Sequence, residues 1–68
     1  MTKAEFQFVV NHVVEEMVAY LMEDYQLAIT DAFDRVYNSH TYQNLLNKKT
    51  GLYRYASAYT YEYLKKEI

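Results

Sequence analysis

The chain has 68 residues, no cysteine, a net charge of −2 and 51% hydrophobic residues, with nine tyrosines and three phenylalanines. A chain this short holds one domain with a thin core, burying only about 60% of the surface its unfolded form exposes; the missing cysteines exclude a disulfide framework and a thiolate metal site, and the apolar, aromatic composition excludes a disordered tail. No run of about 18 apolar residues occurs, and Met1-Thr2-Lys3-Ala4-Glu5 lacks the charged-then-apolar order of a secretory signal, so the sequence reads as that of a cytoplasmic protein with no membrane partner.

The stretch from Thr2 to Asp24 predicts the dominant element, a long amphipathic helix. At about 3.6 residues per turn, Phe6, Val9, Val10, Val13, Val14, Met17, Tyr20 and Leu21 fall on one broad stripe. Thr2-Lys3-Ala4-Glu5 has the form of a capping box, in which the threonine oxygen and the glutamate each satisfy an otherwise unpaired backbone N–H. Phe8, Val18 and Met22 lie with Asn11 and Glu15 on the side away from the stripe. Either they form a second seam used against another chain or a second copy, or the domain wraps other helices around both sides. On the first reading Phe8, Val18 and Met22 are the candidate interface residues.

Tyr25-Gln26-Leu27-Ala28 reads as a connection. A second helix follows from about Ile29, with Ile29, Ala32, Phe33, Val36 and Tyr37 on one face, and with Asp31 and Arg35 placed to complement the helix dipole. Asn38-Ser39 breaks the pattern and suits the position before a third helix, because both side chains compete for backbone hydrogen bonds. That helix runs from His40 to about Leu46 and is expected to bury Tyr42, Leu45 and Leu46. It closes at Asn47-Lys48-Lys49-Thr50-Gly51, where the only glycine suits a left-handed backbone conformation.

The last segment has two readings. Tyr53, Tyr55, Ser57, Tyr59, Tyr61 and Tyr63 alternate with other residues at the period of a β-strand. As a helix capped near Ser57, the same stretch places Tyr61, Leu64 and Ile68 on one side and Tyr59 and Tyr63 on another. The helix is preferred, because no other run has the alternation to pair with a strand, and Lys65 and Lys66 suit a helix C-terminus. The expected fold is all-α: a small bundle of one long N-terminal helix and about three shorter ones, forming a single domain over residues 1–68.

No constellation in the sequence carries chemistry. His12 shares a helix face with Glu15 or Glu16, but the only other histidine is His40 and no paired Glu-x-x-His motif occurs, so no metal is expected. Ser39 and Ser57 fit helix caps better than nucleophiles, and the single glycine leaves no phosphate-cradling loop. The acidic pairs Glu15-Glu16 and Glu23-Asp24 diverge on a helix. No catalytic residue and no cofactor is assigned, and the protein is not expected to be an enzyme. Exposed tyrosines can stack on single-stranded bases, although that mode also wants a basic groove; more often such rings fill a core while keeping a hydroxyl wet.

Charge is unevenly divided. Residues 1–34 hold one lysine against seven carboxylates, a net −6, whereas residues 35–68 hold six cations against two carboxylates, a net +4. Such asymmetry favours packing of the two halves on each other or head-to-tail contact between copies. It argues only weakly for nucleic acid.

The stretches Ala32-Phe33-Asp34-Arg35-Val36-Tyr37-Asn38-Ser39, Thr50-Gly51-Leu52-Tyr53 and Ala58-Tyr59-Thr60-Tyr61-Glu62-Tyr63-Leu64-Lys65 resemble an uncharacterised group of short bacterial helical proteins often encoded beside toxin-antitoxin genes. The likeness runs from about Leu21 onward and contains no catalytic motif. It implies a helical fold and an intracellular protein partner, and transfers no functional residue. Where members carry serine, this chain has Ala28 and Ala56, which removes two expected helix caps. The reading that follows is a small intracellular interaction module, accessory or antitoxin-like, that self-associates as a dimer or other homo-oligomer. The alternative is a nucleic-acid-binding regulator, with the second and third helices as a compact helix-turn-helix and Lys48, Lys49 and Arg54 near phosphate.

Overall fold

Helix α1 (Lys3–Tyr25) begins where the capping box predicts: the Glu5 amide donates to Thr2 Oγ1 at 3.1 Å, and the Thr2 amide donates to Glu5 Oε1 at 2.8 Å. It ends on Gln26, whose φ of 57° is left-handed and stops the helix without a glycine. The computed structural model describes residues 1–68, and after α1 come α2 (Ile29–Tyr37), α3 (His40–Leu46), two 3-10 turns (Lys48–Thr50 and Leu52–Arg54) and α4 (Ser57–Lys65), with no strand. No helix is long and apolar enough to cross a membrane.

The 23 residues of α1 at about 1.5 Å each account for the long dimension of the molecule, which measures 35 × 20 × 19 Å. Helices α2, α3, α4 and the second 3-10 turn all pack on this rod. Its stripe supplies seven of the twelve core residues: Phe6, Val10, Val13, Val14, Met17, Val18 and Leu21. Val9 and Tyr20, at the edge of the predicted stripe, are only half-buried.

Val18 corrects the expectation that it belongs to an outward seam, since it is 3% exposed. The physical reason lies in where the short helices sit. Helix α4 takes the side of α1 marked by Glu16, Tyr20 and Asp24, through Ser57, Tyr61 and their hydrogen bonds. The opposite edge, where Val14 and Val18 lie, is also covered, because α2 and α3 pack on the same rod. The wrapped arrangement therefore holds at Val18, while Phe8 and Met22 stay outside at 75% and 37% exposure.

The short helices bury fewer residues than their periodicity predicts. In α2 the core takes Ala32 and Val36, with Phe33 packed against them; Ile29, in the first turn at the end of the bundle, and Tyr37, at the margin of the stripe, are exposed. The Tyr37 ring packs instead against Phe33 and Tyr42. In α3 the seven residues offer one inward line, Thr41 and Leu45; Tyr42 is half-buried, and Leu46, a further 100° round, is exposed. Gly51 has the left-handed backbone expected of it, with φ +71°.

Residues 57–65 are helical rather than extended, which settles the two readings of the tyrosine run. Tyr61, Leu64 and Thr60 point into the core and Tyr59 and Tyr63 point out, but Ile68 lies beyond the last helical residue and is exposed.

How the helix starts are satisfied differs from one to the next. Ser39 caps α3 by accepting from the Tyr42 amide at 3.0 Å. A second cap reaches α3 from the far end of the chain: Glu67 accepts from the His40 and Thr41 amides, both at 2.8 Å, and from the Thr41 hydroxyl. Ala28 and Ala56 occupy the N-cap positions of α2 and α4 and provide no side-chain acceptor. Ser57 is the first helical residue rather than the cap, and its hydroxyl donates to Glu16.

Partial burial acts to raise the Glu67 carboxyl, but the bonds from the Thr41 hydroxyl and the two amides outweigh it and hold the group below the ordinary value near 4.5. A depressed folded-state value means that the stabilisation is present above the unfolded value and is lost as pH falls through the folded one. Glu67→Gln should therefore cost about 1 kcal/mol at pH 7, a modest figure because water screens the exposed carboxylate. The gap to the parent protein should close as pH drops below that ordinary value, as followed by urea denaturation across a pH series. Ala28→Ser and Ala56→Ser should each stabilise the fold by about 1 kcal/mol by supplying the missing acceptor. Their effects should add in the double variant, since they cap different helices.

Candidate functional site

Three features of the surface are candidates for function. The first is the outer face of α4. Tyr59 and Tyr63 stand on successive turns of α4 at 43% and 42% exposure, and Tyr55, in extended backbone just before the helix, stands beside them at 53%. The Tyr55 and Tyr59 rings lie 4.6 Å apart and tilted, Tyr59 and Tyr63 meet edge-on at 5.4 Å, and the Tyr59 and Tyr63 hydroxyls are hydrogen-bonded at 3.0 Å. That hydrogen bond and the neighbouring Tyr63 hydroxyl push the Tyr59 hydroxyl above its usual value. Lys66 Nζ lies over the Tyr63 ring at 5.4 Å. Beside Tyr63 a recess of about 200 Å3 is lined also by Thr41, Asn44, Thr50 and Leu52.

The second feature is the outer face of α1. The predicted interface residues do not form a continuous seam there: Phe8 and Met22 are outside, the buried Val18 is absent from between them, and the intervening exposed positions include Asn11 and Glu15. Phe8 stands alone as the most exposed large apolar side chain, in shallow relief with Asn11, His12 and Glu15.

The third is a recess of about 320 Å3 between α1 and the start of α4. Glu16 Oε1 accepts from Ser57 Oγ at 2.7 Å and meets His12 Nε2 at 2.9 Å. The carboxylate thus sits between serine and histidine. A nucleophilic triad needs the imidazole in the middle to take the hydroxyl proton, so this trio ties α4 to α1 rather than activating Ser57. His40 lies on a different helix, and no three histidine, aspartate or glutamate side chains converge as a metal would require.

Cations in the second half mostly face aromatic rings. Lys48 lies over Phe6 at 4.9 Å, Arg54 over Tyr53 at 5.5 Å and Lys65 over Tyr61 at 5.3 Å. Arg54 Nε also donates to the Tyr53 hydroxyl at 3.2 Å, and Lys65 pairs with Glu62 at 3.2 Å. No ion pair joins the acidic half to the basic half; the halves are joined by apolar packing and by the Ser57–Glu16 and Tyr61–Asp24 hydrogen bonds. As for a helix-turn-helix, α2 and α3 are separated by Asn38 and Ser39 alone, shorter than the usual turn of about three to four residues, and α3 carries no lysine or arginine.

Sequence reasoning placed Tyr59 and Tyr63 on one side of the helix but missed the stacking of Tyr55 on Tyr59 and the Glu67 cap. Tyr59 and Tyr63 had a signal, being four apart on α4, the spacing at which rings meet on a helix; Tyr55 had none, since it precedes the helix in extended backbone. Glu67 had none, since its partners lie 26 and 27 residues away. Comparison with protein-family models, with curated proteins and with solved structures finds no match to this chain.

One buried polar group stands apart from these surfaces. Thr60 Oγ1 is fully buried on α4 without a hydrogen-bond partner, and Thr60 lines none of the recesses. A buried hydroxyl left unpaired costs free energy that a methyl group of the same shape does not. Thr60→Val should raise stability by about 1 kcal/mol, with no change in helical content by circular dichroism; a loss of stability would show that the hydroxyl has a partner in solution.

Proposed function

We propose that this protein is a small interaction module that associates with itself head to tail, the acidic outer face of α1 on one copy meeting the tyrosine face of α4 on the next. The observation that carries this reading is the pairing of an outstanding phenylalanine with a recess at the edge of the tyrosine face: Phe8 is 75% exposed, and the hollow lined by Tyr63, Leu52, Thr41, Asn44 and Thr50 is open to receive an aromatic ring. Tyrosines stacked in advance lose little freedom when covered, and such anchors in pockets carry most of the energy of protein contacts. Charge supports the same polarity. Glu15 and Glu23 flank the α1 face, whereas Lys66 and Arg54 border the tyrosines, so unlike charges meet head to tail and like charges would meet if the tyrosine face paired with itself.

Met22 belongs to the α1 side of this contact and Val18 does not, being buried. The likeness of the chain from Leu21 onward to proteins encoded beside toxin-antitoxin genes supports a role exercised by contact, as an accessory or antitoxin-like partner. The lysines and arginine that would serve nucleic acid are largely engaged by rings, and no arrangement of the helices favours that alternative.

A head-to-tail contact leaves each copy with one free face, so assemblies should grow with concentration rather than stop at two. In sedimentation, Phe8→Asp and Tyr63→Asp should each abolish association. Mixing the two variants should restore a single dimer, because each retains the face the other has lost. A strict monomer at millimolar concentration, or a mixture that fails to associate, would overturn the arrangement.

A further inference from the structure

We infer that the recess between α1 and the start of α4 binds a methylated ammonium group. Three tyrosines line it, Tyr20, Tyr53 and Tyr55, together with the Glu16 carboxylate, and apart from His12 and Ser57 the remaining lining is aliphatic. Its volume of about 320 Å3 lies at the small end of ligand sites. Each tyrosine is braced by a ring outside the cluster: Tyr20 against Tyr61 at 4.9 Å, Tyr53 against Phe6 at 5.1 Å and Tyr55 against Tyr59 at 4.6 Å. The walls are therefore fixed before a ligand arrives.

Aromatic faces attract cations through the ring quadrupole, and this chain already uses Tyr53 so, with the Arg54 guanidinium 5.5 Å from its centroid. Methylation decides which cation suits the recess. A primary ammonium brings three N–H donors that must find acceptors, and with Glu16 Oε1 taken by Ser57 and His12 that carboxylate has only Oε2 left to offer. A quaternary ammonium donates nothing, is weakly hydrated and needs only nearby negative charge and aromatic or aliphatic contact. Glu16 supplies the charge, held in place by the serine.

The chemistry is shared by choline-like molecules and by trimethylated lysine in a peptide, and the two sources are separated by titrating each. The inference is separable from self-association: Tyr55 alone borders both the recess and the tyrosine face, so binding is scored on the Tyr20 and Tyr53 resonances, which belong to the recess only. Choline chloride added to the isotopically labelled protein should shift the Tyr20 and Tyr53 ring signals with a dissociation constant on the order of 1–10 mM, as expected of an exposed cage. Sodium chloride at the same ionic strength, and 3,3-dimethylbutanol, the uncharged carbon analogue of choline, should not. Glu16→Gln, which keeps an acceptor for Ser57, should weaken binding about 5-fold, and Tyr55→Ala, at an exposed position, by about 3-fold. A trimethyllysine peptide that binds more tightly than choline assigns the source to protein; the reverse assigns it to a small molecule. Ring signals unmoved by either probe at 100 mM, an equal response to the uncharged analogue, or full affinity in Glu16→Gln would each overturn the inference.

Discussion

The whole structure depends on shielding one side of α1 from water. Val10, Met17 and Leu21 have no exposure, and Val13 and Val14 have 2%, yet the rod has only some 45 residues of further chain with which to cover them. In a protein of this size each buried aliphatic side chain contributes about 1.5–3 kcal/mol, set against a net stability that is small for any short domain. The three short helices do not form a core of their own. They are pieces of cover, each lending one or two side chains, and their lengths of nine, seven and nine residues are too short to hold as helices in water without the contact.

Because the cover is short, it has many ends, and each end exposes backbone groups that want partners. Side chains remote in sequence meet that demand and set the angles of the pieces at the same time. Glu67 closes the start of α3 from the last residues of the chain, Glu16 holds the first residue of α4, and Asp24 takes the Tyr61 hydroxyl at 2.7 Å. Burial and this bond to a carboxylate push the Tyr61 hydroxyl well above the usual tyrosine range, so the phenol keeps the proton that it donates in the tether from α4 to the end of α1. The exposed His12–Glu16 and Glu62–Lys65 pairs, each within one helix, do no comparable work between elements.

These distinctions explain what could be read in the sequence. Period and cap chemistry are local properties, so the span of α1, its capping box, the Ser39 cap, the Gly51 turn and the helical state of residues 57–65 were all legible. Position within the bundle is not local. Val18 lies only slightly round the rod from the stripe, and whether it faces water depends on how far the short helices wrap that side. Ile29 and Tyr37 sit on the apolar face of α2 and yet are exposed, because that face extends past what α1 can cover. The alternating tyrosines carried two meanings, and the helix chooses among them by burying Tyr61 and leaving Tyr55, Tyr59 and Tyr63 as a stack outside.

The uneven division of charge has a consequence for the surface that the absence of cross-half ion pairs sharpens. Had the acidic and basic halves neutralised each other internally, the exterior would be electrically bland. Instead the two halves adhere by apolar contact and by hydrogen bonds from neutral hydroxyls to Glu16 and Asp24, the other carboxylates of α1 stay in water, and Lys48, Arg54, Lys65 and Lys66 rest against rings that hold them without cancelling their charge. A cation so placed keeps its long-range field, but its side chain is confined. To reach a phosphate it must leave the ring, which subtracts from binding; to steer an acidic protein face toward the neighbouring tyrosines it need not move at all. The basic half thus presents confined positive charge beside exposed rings, and the exposed side of α1 presents carboxylates, so the surface of the molecule is polar in the electrical sense from one face to the other.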